Sequence, residues 1–160
     1  GYIVDVRNNG GGELSSILQI LDMLLPEGPI VRIQYKDGTE QVYESDVNEF
    51  KAPMVVLANG NTASAAELFV SALKDYQKAI VVGTVTYGKG TVQSLIPFED
   101  GSALRISTSM YAPPYSDNYE GVGITPDVES ELDEEYRNIN LFNLAHENDA
   151  QLQTALALYK

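Results

Sequence analysis

Residues 53–75, PMVVLANGNTASAAELFVSALKD, contain the pattern that decides the fold. The run PMVVLAN is short and continuously apolar, which is typical of a central strand buried on both faces. GNTAS interrupts the run, and apolar residues then return at the spacing of a helix face, at Leu68, Phe69, Ala72, Leu73 and Tyr76. The segment therefore predicts a buried strand that leads directly into a helix.

The flanking sequence extends this pattern to a mixed α/β domain. YIVDVR (residues 2–7) and AIVVGT (residues 79–84) predict two further buried strands. Residues 13–25 have helical spacing, and the PEG sequence after them ends that helix. Hairpins are predicted around KDGT and EDGS, and DAQLQTALALYK predicts a short amphipathic helix after an acidic, solvated linker at residues 129–135. Strands that alternate with helices and are interrupted by hairpins indicate the α/β class.

The composition limits the possible functions. The chain has 160 residues, of which 44% are hydrophobic, and this suits one domain with a sizeable core. A net charge of −13 disfavours binding to nucleic acid or to an anionic lipid surface. There is no cysteine, which excludes disulfides, cysteine-rich zinc sites and a cysteine nucleophile. Because the chain begins inside an apolar, strand-like run, we expect it to be a fragment of a longer protein.

Ser64 lies where the strand of residues 53–59 meets the following helix, in or just before the first helical turn. One interpretation is structural, since capping a helix is the commonest role of a Ser or Thr hydroxyl at such a place, and Thr62 could serve equally. The other is a nucleophile, because the free N–H groups and the dipole of a helix N-terminus stabilise an oxyanion.

A serine nucleophile needs a base, and the chain offers two candidates. The only histidine, His146, lies in a polar tail and is expected to be a solvated surface residue. Lys89 lies between two glycines in GTVTYGKG, and Ser-Lys pairs are a known variant of the serine triad. Lysine acts as a base only when neutral, which an apolar pocket favours, whereas most lysines are solvated surface charges. GTVTYGKG also resembles a phosphate-binding loop, but Gly90 takes the hydroxyl position and the next residues predict a strand, not a helix.

RNNGGG, residues 7–12, also has two interpretations. It ends the first predicted strand, and it could be no more than the loop that follows. Glycine-rich backbone ahead of a helix can also present N–H donors to a developing negative charge.

Four stretches occur in an order and with a spacing typical of one family: VDVRNNGGGEL, VVLANGNTASAAELFVSALKD, VVGTVTYGKGTVQSLIPFEDGSALRISTSMYAPP and GVGITPDV. Together, over residues 1–130, they resemble the C-terminal processing peptidases, also called tail-specific proteases. The resemblance implies a Ser-Lys endopeptidase with a crotonase-like β-β-α spiral core and hairpin insertions. It implies that no metal or cofactor takes part.

The resemblance also assigns roles to particular residues. Ser64 matches the nucleophile, and Lys89 matches the general base. Gln93, in KGTVQ, matches the glutamine that orients the lysine. The oxyanion hole is expected from the N–H groups of Ala65 and of one of the three consecutive glycines, for which we choose Gly11.

Wider expectations follow from the same resemblance. Residues 1–132 would be the catalytic core, without the upstream structure and PDZ domain usual in the family, and residues 133–160 would be a linker and closing helix of the same domain. The substrate would be a protein or peptide with an accessible C-terminus, the location would be extracytoplasmic, and little activity is expected of the isolated chain. The loop APPYSDNYEGVG departs from the usual pattern, which bears on substrate preference.

Two other functions remain open from the sequence. One is a catalytically silent peptide-binding module with the same fold. The other is a nucleotide-binding protein that uses GTVTYGKG.

Overall fold

The computed structural model describes residues 1–159, which have a mixed α/β fold with two four-stranded sheets and three α-helices. The elements in chain order are β1 (Tyr2–Asp5), α1 (Leu14–Leu24), β2 (Gly28–Tyr35), β3 (Glu40–Ser45), β4 (Met54–Ala58), α2 (Ala65–Asp75), β5 (Ala79–Gly83), β6 (Thr91–Pro97), β7 (Ala103–Ala112), β8 (Val128–Glu129) and α3 (Ala150–Ala157). Three short 3-10 turns precede α3, at Glu134–Tyr136, Leu141–Asn143 and His146–Asn148.

The first sheet is parallel, with the strand order β1-β4-β5-β8. Its central strand β4 is buried along its whole length. Met54 and Val56 pack in the main core with α1 and α2, while Val55 and Leu57 pack on the opposite face against α3. A strand covered on both faces needs apolar residues at every position, which explains its unbroken apolar sequence. Each such buried side chain stabilises the fold by about 1.5–3 kcal/mol.

The second sheet is antiparallel, with the strand order β3-β2-β7-β6. Helix α2 lies between the two sheets and contacts both β5 and β2. Ile30 and Ile33 of β2 and Tyr111 of β7 join the main core. The outer part of the β6–β7 hairpin extends away from this core, and Leu95 at its edge is 68% exposed. The two sheets therefore enclose α2, and its N-terminus lies beside the loops that leave β1 and β5.

The predicted α/β class is confirmed, and every predicted helix and strand is present with small differences at the ends. One strand was missed. Glu129, predicted to begin a solvated linker, belongs to β8 and pairs with Gly83. A strand of two residues has no periodicity to detect, and β8 is fixed by tertiary contacts: the Asp127 N–H donates to the Val81 carbonyl at 2.8 Å, and the Val81 N–H donates to the Asp127 side chain at 2.8 Å.

An ionic cluster joins the end of β1 to the start of α3. The guanidinium of Arg7 donates to Asp149 at 2.8 and 3.0 Å, to Gln151 at 2.9 Å and to Asp5 at distances from 2.6 to 3.1 Å. Arg7 is 9% exposed and Asp149 is 4% exposed. We propose on this basis that residues 133–160 close the same domain as residues 1–132. Among residues 1–159, no helix is both long enough and apolar enough to cross a membrane.

Candidate active site

Ser64 is the N-cap residue of α2, and its backbone is in an unusual conformation with φ 57° and ψ −123°. Such a conformation costs a non-glycine residue about 1–3 kcal/mol, and it persists only where the surroundings impose it. The turn before Ser64 is held by Thr62, which is fully buried, donates to the Val6 carbonyl at 2.8 Å and accepts from the Asn59 N–H at 3.0 Å. The predicted N-cap position is confirmed, and the strain there is of a kind that clusters at functional sites.

The carboxylate of Glu67 connects Ser64 to the loop that carries Lys89. Its Oε2 accepts hydrogen bonds from the N–H of Ser64 at 2.9 Å and from the N–H of Lys89 at 2.8 Å. Its Oε1 accepts from the Thr86 hydroxyl and from the Gly88 N–H, both at 2.6 Å. Glu67 is 0% exposed, so its carboxylate oxygens need hydrogen-bond donors in place of water, and these four bonds supply them. The backbones of Ser64 and Lys89 therefore meet at one oxygen atom.

Glu67 was not among the site residues predicted from the sequence, although a signal for it was present. Ser64 and Glu67 form the S-x-x-E pattern of a capping box, in which the acidic side chain binds back to the N-cap N–H. The pattern predicts that bond but gives no information about the three donors from residues 86–89.

Lys89 is half-buried in the loop between β5 and β6, with buried glycines on both sides. The Tyr87 N–H donates to the Thr62 carbonyl at 3.0 Å, which ties this loop to the turn before Ser64. After Gly90 the chain continues as the strand β6. A phosphate-binding loop leads into a helix, so GTVTYGKG does not form one.

Gln93 lies on β6 just after an irregularity in the pairing of β6 with β7, and its backbone is paired with Ser107. Its side chain is exposed. The role of Gln93 in orienting Lys89 stays a prediction.

Gly11 is the glycine of the loop after β1 that faces Ser64 and Ala65. A Cβ atom on Gly11 would lie 2.8 Å from the Ala65 nitrogen and 2.8 Å from the Ser64 Cβ, and its φ of +94° favours glycine. A Cβ on Gly10 or Gly12 would meet nothing within 4 Å. The Ala65 N–H belongs to the first turn of α2, where N–H groups lack intrahelical acceptors.

The Gly11 N–H is engaged within its own loop. It donates to Asn9 Oδ1 at 3.0 Å. An oxyanion held by Gly11 would have to replace this side-chain oxygen as the acceptor.

Two buried tyrosines lie behind the site. Burial raises the pKa of Tyr111, and the neighbouring Ser64 hydroxyl opposes part of that rise. Burial also raises the pKa of Tyr119, and the charge of Glu67 adds to the effect. The Tyr119 hydroxyl has no hydrogen-bond partner among residues 1–159. Both phenols are therefore protonated at neutral pH.

A cavity of about 490 Å³ opens beside Gly11 and Ala65, between α1, α2 and β1. Its deeper wall is apolar and includes Val6, Ile17, Leu24, Met54, Ala66 and Phe69. Its few polar neighbours include Glu13 and Ser16. A cavity of this size and lining suits an apolar group of a ligand.

His146 is exposed, as predicted. It lines a different cavity, of about 780 Å³, together with Arg7, Asp149 and Phe142. The structure thus joins Ser64 to the Lys89 loop through Glu67, whereas His146 lies near the ionic cluster of Arg7.

The structure thus places Ser64 at a helix N-terminus, with the Lys89 loop and the Gly11 backbone beside it. The family model described as Peptidase family S41 matches residues 1–130 of the chain. A carboxy-terminal-processing protease of Bartonella bacilliformis is 38% identical over 152 residues, which are 88% of this chain and 34% of that protein. A carboxyl-terminal-processing protease of Synechocystis sp. is 37% identical over 161 residues, covering 99% of this chain and 36% of that protein.

Among solved structures, the photosystem II D1 C-terminal processing protease has a TM-score of 0.75 and 34% identity, covering 81% of this chain and 34% of that chain. The chain belongs to peptidase family S41, and the predicted resemblance to C-terminal processing peptidases is confirmed. The chain spans about a third of the length of the curated relatives it matches.

Proposed function

We propose that this domain is the catalytic core of a serine endopeptidase that cleaves protein substrates near their C-termini, with Ser64 as nucleophile and Lys89 as general base. The observation that carries the proposal is the pair of hydrogen bonds from the N–H groups of Ser64 and Lys89 to the one oxygen Glu67 Oε2, at 2.9 and 2.8 Å. A nucleophile and its base must lie within hydrogen-bond reach, and this shared acceptor brings their backbones together.

In the proposed reaction Lys89 takes the proton of the Ser64 hydroxyl as the serine oxygen attacks the scissile carbonyl. The negative charge of the tetrahedral intermediate lies between the N–H groups of Ala65 and Gly11, the latter released from Asn9. Lys89 then gives the proton to the leaving amine. Water hydrolyses the acyl-enzyme with the same lysine as base. Gln93, which lies four residues after Lys89 and begins the exposed part of β6, would orient the lysine once substrate is bound.

The cavity beside Gly11 and Ala65 is the proposed site for an apolar substrate side chain on the acyl side of the cleaved bond. Its position next to the proposed oxyanion hole supports this, because that side chain leaves the backbone at the carbon next to the attacked carbonyl. Cleavage near a C-terminus is proposed from the relatives named as carboxyl-terminal-processing proteases.

Three wider parts of the proposal rest on family likeness. The fold is assigned to the crotonase-like β-β-α spiral class, for which the parallel β4-α2-β5 unit is the supporting feature. The location is extracytoplasmic or in an organelle, and one relative, from Tetradesmus obliquus, is named a chloroplastic C-terminal processing peptidase. A PDZ domain is expected in the full-length protein.

The experiment that tests the proposal compares wild type with Ser64→Ala in the full-length protein. Cleavage of a reporter with an unstructured C-terminus should fall by several orders of magnitude, because the nucleophile is lost. The free energy of unfolding should change by only about 1 kcal/mol, since one hydroxyl is removed at a helix cap. Cleavage by Ser64→Ala at a rate near that of wild type would refute the proposal. An inactive wild type would favour the alternative of a silent peptide-binding module.

A further inference from the structure

The loop of residues 113–123, between β7 and β8, binds the residue that follows Lys89. The Gly90 N–H donates to Glu120 Oε2 at 2.5 Å. The Gly90 carbonyl accepts a hydrogen bond from the Asn118 side chain at 2.9 Å. Two side chains of the loop therefore hold both backbone polar groups of Gly90.

The same loop also holds the residue before Lys89. The Gly121 N–H donates to the Gly88 carbonyl at 2.9 Å. A side chain at Gly88 would meet the backbone of the loop, and one at Gly90 would displace the Asn118 side chain. A Cβ on Gly90 would lie 2.6 Å from the Asn118 side-chain nitrogen, and one on Gly88, where φ is +87°, would lie 2.9 Å from the Gly123 nitrogen. The two glycines around Lys89 are thus explained by contact with this loop.

The loop is itself preorganised to make these contacts. The Glu120 N–H donates to Asn118 Oδ1 at 2.8 Å, so the two side chains are linked. Tyr119, which lies between them in sequence, is 4% exposed and packs in the main core. Asn118 also donates to the Tyr111 carbonyl, on the strand whose tyrosine lies beside Ser64. Because the buried Tyr119 anchors the loop, Asn118 and Glu120 already hold these positions before substrate binds.

We propose that Asn118 and Glu120 are positioning residues for Lys89. The inference rests on the proposed function, in which Lys89 is the base. Glu67 fixes the N–H of Lys89, and Asn118 and Glu120 fix the next residue, so the direction in which Lys89 leaves the backbone is set from both sides. Neither residue touches the reacting atoms in this scheme, and both act through the backbone of Gly90.

The test uses Asn118→Ala and Glu120→Ala in the full-length protein, with peptide cleavage as the readout. We expect kcat to fall by about tenfold or more with KM nearly unchanged, because small displacements of a catalytic group are costly in rate while substrate binding is untouched. Glu120→Gln keeps an oxygen that can accept from the Gly90 N–H and should recover most of the lost kcat. Glu99→Ala, at an exposed glutamate in the β6–β7 turn, is the matched control and should behave as wild type.

Each outcome decides the proposal. Wild-type kcat in both alanine variants would overturn it, and so would an equal loss in Glu120→Gln and Glu120→Ala. If the alanine variants do not fold, Asn118→Asp takes their place. It keeps the acceptor for the Glu120 N–H but loses the donor to the Gly90 carbonyl, and it should cleave more slowly than Glu120→Gln. Equal rates in those two variants would contradict the proposal.

Ser64→Ala and Lys89→Ala are measured alongside. Normal cleavage by Ser64→Ala or Lys89→Ala would refute the proposed function itself. If those two variants are inactive but the Asn118 and Glu120 variants cleave normally, only the positioning role is refuted.

Discussion

Four hydrogen bonds converge on the carboxylate of Glu67, which is 0% exposed. Removing an acceptor from buried donors leaves them unsatisfied, at about 1–3 kcal/mol for each group. One side chain thus stabilises both the strained turn at Ser64 and the loop at Lys89, so we expect a substitution of Glu67 to change stability and activity together.

Substitution of Glu67 tests that coupling. Glu67→Gln keeps the size of the side chain but places an NH₂ group against N–H or O–H donors, so we expect a loss of at least about 2 kcal/mol in the free energy of unfolding. Cleavage should also fall in the fraction of molecules that remain folded. Urea denaturation together with kinetics corrected for the folded fraction measures both. Glu134→Gln, at an exposed position, is the control, and a Glu67→Gln variant as stable and active as this control would contradict the account.

At the scale of elements, the junction of α1, α2 and β1 forms the apolar cavity beside Gly11 and Ala65. Ala66, in the first turn of α2, lines that cavity and is 5% exposed. A larger side chain at Ala66 would therefore fill part of the cavity and leave Ser64 unchanged.

Ala66→Leu should therefore change the substrate preference. We expect wild type to favour a large apolar residue before the cleaved bond and the variant to favour alanine there, because the added side chain occupies part of the cavity. Relative kcat/KM for peptides that differ only at that residue is the measurement. Ala157→Leu, on the exposed side of α3, is the control. A uniform decrease for all peptides, without a change of rank, would show that the cavity does not hold this side chain.

The ion pair of Arg7 with Asp149 joins the end of β1 to the start of α3. Burial opposes ionisation of Asp149, but the hydrogen bonds from Arg7 and from the Leu152 N–H outweigh it and hold the pKa of this carboxyl below its usual range. A carboxyl with a lowered pKa in the folded state adds stability that is present above its unfolded pKa, about 3.9, and is lost as the pH falls through the folded value.

Asp149→Asn should accordingly be destabilised at pH 7 by about 3 kcal/mol, since it leaves Arg7 without one of its buried partners. The difference in the free energy of unfolding between wild type and this variant should shrink as the pH is lowered below 4. Urea denaturation at pH 7, 4 and 3 gives the three values. A difference that stays constant across this range would mean that the Asp149 carboxylate does not contribute through its charge.

For the whole molecule, local sequence predicts the elements but not how they meet. The apolar run of β4 and the helical spacing of α2 are local signals, whereas β8 is fixed by its pairing with β5. The motifs indicate Ser64 and Lys89, but their backbones are linked by a buried carboxylate that accepts from residues far apart in the chain. Sequence could not choose among three consecutive glycines on physical grounds, because only the fold brings the backbone of one of them against Ala65. Likewise, no local pattern joins Asn118 and Glu120 to Gly90.

The central claim is that Ser64 is activated by Lys89 and not by His146, and covalent labelling tests it most directly. The full-length protein is treated with a fluorophosphonate, and mass spectrometry measures the adduct on the peptide that contains Ser64. The account predicts labelling of wild type and of His146→Ala at similar rates. It predicts no labelling of Ser64→Ala, and none of Lys89→Arg, because arginine does not deprotonate in proteins. Labelling of Lys89→Arg at the rate of wild type, or its loss in a folded His146→Ala variant, would contradict the account.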